Sequence, residues 1–222
     1  MQMDSSTKKH IVKIYRKRAV NYDFTANLYY LFGYREWAYR KRAIQKLKLK
    51  PGDTVLEIAC GTGLNFPLYQ QYIGSSGRII GVDITDAMLE QAQKRVTKAG
   101  WENVTLVNQD ASSFQPDSKV DAVISTYAFS LIPDPQQVLV KIEKMLVPNG
   151  MLTLLDLQIP DNWPNWISDT AVNLMKPFAI TDGWVEKRPW ETIIETVTEL
   201  LDDVEMDQQY FGLSYIISGQ KN

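Results

Sequence analysis

Three acids and a glycine turn carry the chemistry this chain can do. Glu57 interrupts the apolar run Val55-Leu-Glu-Ile-Ala59, which ends in Cys60-Gly61-Thr62-Gly63. Glycine has no Cβ, so the backbone of such a turn can lie directly against a ligand. Asp83 closes Arg78-Ile-Ile-Gly-Val-Asp83, 20 residues beyond Gly63. That is the usual distance for a carboxylate that accepts both hydroxyls of a ribose. Asp110, in Asn108-Gln-Asp-Ala111, stands where an acid would accept from an adenine amine; its plainer reading is a turn acid or helix cap. Met88 offers a soft, polarisable side chain to a purine face. A dinucleotide site would want a third glycine to bring a helix onto a pyrophosphate, but Asn65 and Phe66 follow instead. A carboxylate at Glu57 disfavours a pyrophosphate and favours a cation.

The elements that position these groups follow from hydrophobic period and punctuation. Val55–Ala59, Arg78–Asp83, Asn103–Asn108, Val120–Ser125 and Met151–Leu157 read as strands. Residues 64–72, 86–99 and 136–146 read as the helices between them, the second capped by Thr85 or Asp86 and stopped by Gly100. Pro148-Asn-Gly150 reads as a turn, Trp190–Leu201 as a further helix, and Glu205–Gln209 and Tyr215–Gly219 as a final antiparallel pair. The expected architecture is α/β: a Rossmann-like, seven-stranded, mostly parallel sheet with an antiparallel C-terminal hairpin, helices on both faces and an N-terminal helical lid. Ligands of such sheets bind at the carboxyl ends of the strands.

A ligand with an ammonium, a sulfonium, an adenosine and no phosphate is S-adenosyl-L-methionine. Val55–Leu64 together with Gly81–Leu89 resembles the class I S-adenosylmethionine-dependent methyltransferases. The resemblance extends through Asn108–Ala111, Asp121–Thr126 and Pro148–Thr153, about two-thirds of the chain. It implies that Glu57, Ala59, Gly61, Gly63, Asp83, Ile84, Met88, Asp110, Ala111, Thr126 and Tyr22 bind the cofactor. S-adenosyl-L-homocysteine would be the product.

Charge is divided unevenly. Residues 1–50 carry 13 Lys and Arg against 3 Asp and Glu, whereas residues 51–222 carry 11 against 23. A basic arm on an acidic body suits a polyanionic partner for the arm and excludes nucleic acid as a partner of the body. Residues 7–20 read as a basic amphipathic helix, which fits an anionic membrane surface or a lid over the cofactor. Residues 1–50 are thus read as arm and lid, with Trp37–Leu49 a helix basic on its outer side, and 51–222 as the catalytic core. In the segment after Asn21, Phe24, Leu28 and Phe32 read as core, whereas Tyr22, Tyr29 and Tyr30 are open to a role beside a cation. Residues 158–190, rich in Trp and Pro, read as an insertion that lines a hydrophobic acceptor pocket, touches lipid or forms a satellite core. No apolar run approaches the ~20 residues of a membrane span. The single cysteine, Cys60, and an N-terminus without a signal-peptide core fit a cytoplasmic protein, peripheral at a membrane if the arm docks there.

Methyl transfer needs an aligned acceptor lone pair rather than an enzyme nucleophile. An amine can attack directly, whereas an oxygen or carbon acid wants a base. The one histidine, His10, lies in the arm and reads as solvated, and no metal-ligand cluster is evident. These features point to N-methylation of an amine, with Tyr127, Tyr22 and Ser130 beside the acceptor. Ile14–Leu31, Ser125–Pro133 and Trp163–Trp166 are similar to segments of bacterial phosphatidylethanolamine and diacylglyceryl-homoserine N-methyltransferases. That resemblance implies a lipid headgroup amine as acceptor. The alternative is C- or O-methylation of a quinone-like or other small hydrophobic acceptor.

Overall fold

The structure is a computed structural model that describes residues 5–23 and 33–222. The expectations for Phe24, Leu28, Tyr29, Tyr30 and Phe32 lie outside those residues. The described chain begins with α1 (Ser5–Arg18) and α2 (Glu36–Lys46). Alternation then sets in: β1 (Thr54–Ile58), α3 (Phe66–Ile73), β2 (Arg78–Asp83), α4 (Asp86–Ala99), β3 (Val104–Asn108), β4 (Val120–Thr126), α5 (Pro135–Met145) and β5 (Leu146–Leu157). After β5 come α6 (Asn165–Met175), α7 (Asp182–Lys187) and α8 (Pro189–Leu200). The antiparallel hairpin β6 (Asp202–Gln209) and β7 (Ser214–Gln220) ends the chain.

The seven strands are ordered β3-β2-β1-β4-β5-β7-β6, parallel except at β7, which runs antiparallel to both its neighbours. The connection reverses direction between β1 and β4, so the carboxyl ends of those two strands open a crevice. Strand residues are apolar on both faces because helices cover both. Leu56, Ile58, Ile80 and Val123 join α5 and α8 in one cluster; Val55, Ile79, Ala122 and Ile124 join α2, α3 and α4 in another. Each such buried side chain contributes about 1.5–3 kcal/mol.

Local chemistry fixes the ends of the helices. Asp134 caps α5 by accepting from Gln137 N–H at 3.1 Å, with Pro135 at its first turn. Thr181 caps α7, and Gly100 ends α4 in the left-handed conformation at φ 68°. Thr85 precedes α4 without a side-chain cap; its own N–H is taken by Asp83.

Several expected boundaries move: α2 ends at Lys46 instead of Leu49, and β6 begins at Asp202 instead of Glu205. The helix after β1 starts at Phe66 instead of Leu64, because Gly63 at φ 73° turns the chain there. A Cβ on Gly63 would fall 2.6 Å from the Phe66 ring. The expected turn at Pro148-Asn-Gly150 is absorbed into β5. Asn149 takes φ 63°, and the pairing with β4 slips between Val120 and Ala122, so the segment bulges and rejoins the ladder. In the 158–190 segment, Trp184 and Trp190 pack with ring centroids 4.8 Å apart inside the main core, whereas Trp166 is 71% exposed.

Candidate active site

The crevice holds a cavity of about 970 Å³, its mouth included, walled by Ala59, Cys60, Gly61, Asp83, Ile84, Met88, Asp110, Ala111, Thr126 and Tyr127. Strand β1 runs parallel to β2 and β4, so the turn after it lies at the carboxyl edge of the sheet. Gly61 adopts φ 56°, and a Cβ built there meets no atom within 4 Å, so glycine leaves space that a side chain would fill. Asp83, at the end of β2, accepts from Gly61 N–H at 2.8 Å and from Thr85 N–H at 2.7 Å. Burial nevertheless raises its pKa above the ordinary carboxylate value. Asp110 accepts from Lys8 Nζ at 2.5 Å. Partial burial acts to raise its pKa, but the hydrogen bonds from Lys8 and Ser112 outweigh that and hold it low.

Helix α1 crosses this cavity as a lid. Lys8, Ile11 and Tyr15 are part of the wall, so the apolar stripe of the helix faces the protein. Arg16 pairs with Asp86 at 2.7 and 2.8 Å, and Arg18 stacks on Phe178 at 4.1 Å. Just beyond, Asp23 accepts from Thr62 Oγ1 at 2.6 Å and from Arg95 at 2.5 Å. His10 is exposed on the outer face and lines neither this cavity nor the next.

A second cavity of about 680 Å³, its mouth included, shares Tyr22 and Tyr127 with the first. Its other walls are Tyr34, Met175, Phe178, Ile180, Leu157 and Leu213, with Glu36, Ser130 and Asp156 as further polar members. Burial pushes the Tyr22 phenol up to about 12 and raises Tyr34 and Tyr127 as well, so these hydroxyls stay protonated near neutral pH. Tyr127 itself sits at φ 59°, with its N–H on Leu155 O at 2.7 Å. Asp156, one residue before the end of β5, accepts from Ser130 N–H at 2.7 Å and Ser130 Oγ at 3.0 Å.

Two expected binding residues are not on the cavity wall. Gly63 serves the turn. Glu57 falls on the opposite face of β1 from Leu56 and Ile58, under α3, where Asn65 Nδ2 donates to it at 2.6 Å. Burial there pushes its pKa up to about 7. The buried cation in the cavity wall, beside the partly exposed Lys8, is Arg40, only 4% exposed. On a helix expected to be basic on its outer side, it faces inward and donates to Thr126 Oγ1 at 2.6 Å and Asn65 Oδ1 at 3.1 Å. Burial works against its charge, but the ion pair with Glu36 at 2.7 Å, together with the Tyr22 and Tyr127 oxygens, outweighs that cost and keeps it charged. Arg40 and Asp156 escaped the sequence reading. Asp156 carried the same signal as Asp83, an acid closing an apolar run.

A methyltransferase-domain family profile matches residues 49–209. The chain belongs to that family. Relatives of the methyltransferase include a demethylmenaquinone methyltransferase of Listeria monocytogenes serotype 4a (strain HCC23). It is 28% identical over 165 residues, 74% of this chain and 68% of that protein. A demethylmenaquinone methyltransferase of Lactobacillus johnsonii is 32% identical over 157 residues, 69% of this chain and 63% of that one. The N-methyltransferase NodS of Bradyrhizobium japonicum WM9, solved with S-adenosyl-L-homocysteine, has the same fold. Its TM-score is 0.58 over 82% of this chain and 86% of its own, at 18% identity. The two sequence relatives carry quinone-methyltransferase names rather than those of the lipid-amine enzymes that the N-terminal segment resembles.

The methyltransferase is S-adenosylmethionine-dependent, and its first cavity fits that cofactor. A carboxylate stands ready for a ribose diol at Asp83, and apolar walls for a purine at Ile84, Met88 and Ala111. The Gly61 cradle admits close approach, and Arg40 gives a cation for a carboxylate. When bound, the cofactor supplies an electrophilic methyl on a sulfonium. No helix among the described residues is long and apolar enough to cross a membrane.

Proposed function

We propose that this methyltransferase transfers a methyl group to a ring carbon of a hydrophobic, hydroxyl-bearing aromatic acceptor of the quinol type. One observation carries the reading: the second cavity is a slot with aromatic and aliphatic walls, and it meets the cofactor cavity at Tyr22 and Tyr127. A flat ring seated there would lie next to the donor, with protonated tyrosines to hold its oxygens. The demethylmenaquinone activity named for the sequence relatives is the same chemistry. Asp83, Ile84, Met88, Asp110, Ala111 and Thr126 would hold the adenosine side of the cofactor, and Arg40 its carboxylate.

N-methylation of an amine is the second reading, favoured by one observation. Two carboxyl groups, Glu36 and Asp156, line the slot among tyrosines, a setting that also suits an ammonium. Against it, Arg40 already neutralises Glu36 at 2.7 Å.

The deciding experiment incubates the protein with methyl-labelled S-adenosylmethionine. One arm supplies reduced 2-prenyl-1,4-naphthoquinol; the other supplies vesicles containing phosphatidylethanolamine. Label on a ring carbon, located by NMR, supports the proposal, whereas label on oxygen or on the headgroup nitrogen refutes it.

A prenylated acceptor resides in a bilayer, so membrane contact belongs to the same proposal. Lys9, Lys13 and Lys17 are exposed on the outer face of α1, and Trp166, Leu174 and Phe211 are exposed side chains near the insertion and the last hairpin. Trp163 ties these two parts together by donating to Phe211 O at 3.2 Å. Co-sedimentation with anionic vesicles, weakened in Trp166→Ser/Phe211→Ser, is the expected outcome. Equal recovery with neutral vesicles would remove the electrostatic part.

A further inference from the structure

Carbon methylation of a hydroxy-aromatic ring needs a group that removes the hydroxyl proton, and the residues usually sought for it are out of place here. His10 is outside both cavities, and burial keeps the phenols of Tyr22, Tyr34 and Tyr127 protonated. Glu57 is off the wall, and Glu36 is held by Arg40.

Asp156 is the remaining carboxylate of the second cavity among the described residues, and it is 1% exposed. Ser130 N–H, Ser130 Oγ and Leu157 N–H donate to it at 2.7, 3.0 and 2.8 Å, and the Phe129 N–H adds a further contact, so the group is held in place at the cavity wall. Ser130 is placed by the short helical turn Phe129–Leu131, which follows the Tyr127 strand end.

We infer that Asp156 is the general base that takes the proton from the acceptor's ring hydroxyl, with Ser130 as its positioning residue. The assignment rests on the quinol reading above. The hydroxyl proton passes to a carboxylate oxygen of Asp156, and the electron pair it leaves flows into the ring. The neighbouring ring carbon forms a bond to the methyl as the methyl–sulfur bond breaks, its electron pair staying on sulfur to give a neutral thioether. That carbon then carries both hydrogen and methyl. Its hydrogen leaves to water as a proton, and Asp156 returns the first proton to the oxygen, which restores the aromatic ring. One proton is released per methyl transferred, and no other reactant is needed.

The titration of Asp156 agrees with this task. Burial raises it to about 6 in spite of the Ser130 and Leu157 hydrogen bonds. It is therefore mainly ionised at pH 7, and its pKa lies close to the working pH, where a general base is most effective. The groups that face it are Tyr215 from β7, Tyr127 and Ser130 from the β4–α5 connection, Glu36 and Tyr34 at α2, and Tyr22 and Tyr15 from the arm. Arg40 sits behind Glu36.

The test compares wild type, Asp156→Asn and Ser130→Ala, using labelled cofactor and reduced 2-prenyl-1,4-naphthoquinol. Calorimetry with S-adenosyl-L-homocysteine checks that each variant still forms the first cavity. Asp156→Asn is expected to bind that ligand within about threefold of wild type and to lose at least about a hundredfold in kcat, the usual worth of a general base. Wild-type kcat/KM should rise with pH through a limb near 6 that Asp156→Asn lacks. Ser130→Ala removes a hydrogen bond to the charged form and so should move the limb upward while activity survives at pH 8.5. A loss below tenfold in Asp156→Asn, or a limb unmoved in Ser130→Ala, overturns the inference. Should wild type leave the naphthoquinol unlabelled, the quinol reading itself falls. An active wild type beside an equally active Asp156→Asn would overturn the Asp156 assignment alone.

Discussion

Replacing Arg40 with methionine tests whether its buried charge serves the fold, the cofactor or both. The side chain makes an ion pair with Glu36 and hydrogen bonds to Thr126 and Asn65, and it lies over the Tyr127 ring at 5.1 Å. Removing one member of a buried pair typically costs 3–5 kcal/mol, because the other charge is left without its partner. Glu36 keeps some contact with water, with its side chain 13% exposed, so the lower end, about 3 kcal/mol, is expected here. For a chain of this size that corresponds to a fall of roughly 6–12 °C in Tm. The double variant Glu36→Gln/Arg40→Met removes both charges and should recover most of that stability. It should not recover cofactor affinity. A lost hydrogen bond between charged groups is worth about 1.5–3 kcal/mol, or roughly a 10- to 150-fold weaker Kd for S-adenosylmethionine. Thermal unfolding and calorimetry on the four proteins of the cycle separate the two effects. If the double variant binds S-adenosylmethionine as tightly as wild type, Arg40 is structural only and its assignment to the cofactor carboxylate is wrong.

Asp83→Ala should weaken cofactor binding by about 1.5–3 kcal/mol, since it removes a carboxylate acceptor from the cavity wall; unchanged affinity in calorimetry would take Asp83 out of the ribose role. Gly61→Val should abolish cofactor binding, because its branched side chain enters the cradle and φ 56° strains any β-branched residue; normal binding by a folded variant would show that the turn does not touch the ligand. Glu57 is raised from 4.5 to about 7, so its stabilising contribution is full below pH 4.5 and lost as pH rises through 7. The full loss is about 3 kcal/mol. Glu57→Gln should therefore show a smaller fall in denaturant midpoint between pH 5 and pH 8 than wild type, and an identical fall would remove Glu57 as the cause.

The sheet was legible because each of its central strands combines an apolar run with a punctuating acid or glycine. Residues 86–99 were bounded correctly: Gly100 ends the helix in the left-handed conformation, a local signal, while Thr85 holds the N-cap position without a side-chain cap. Asn149 shows the limit of local signals. The same left-handed residue that marks a turn also makes a bulge, and the β4 pairing selects the bulge. In the site, Asp83, Met88 and Asp110 could be read from spacing along one βαβ unit. Glu57 was placed on the wrong side because facing depends on strand alternation relative to helix α3, not on distance from the glycines. Arg40 was hidden by its basic neighbours Lys41 and Arg42, and only the fold shows that one of the three points inward. Ser130 was named without its partner, because β4 and β5 bring it to Asp156 from 26 positions away.

The lid formed by α1 has a consequence for the rhythm of turnover. The helix rests on the mouth of the first cavity, and its fastenings include the ion pairs Lys8 to Asp110, Arg16 to Asp86 and, just beyond, Asp23 to Arg95, besides hydrogen bonds from Tyr15 and Arg18 to the carbonyls of Phe178 and Pro177. The three ion pairs have solvent access. Ions in solution compete with such pairs, and screening acts over only about 10 Å at 0.1 M salt. Dwell time of the product on the enzyme would then shorten as ionic strength rises, with the chemical step untouched. An anionic surface that drew the lysines of the outer face towards itself would loosen the same fastenings, so the place where a fresh acceptor is met would also be the place where the enzyme empties.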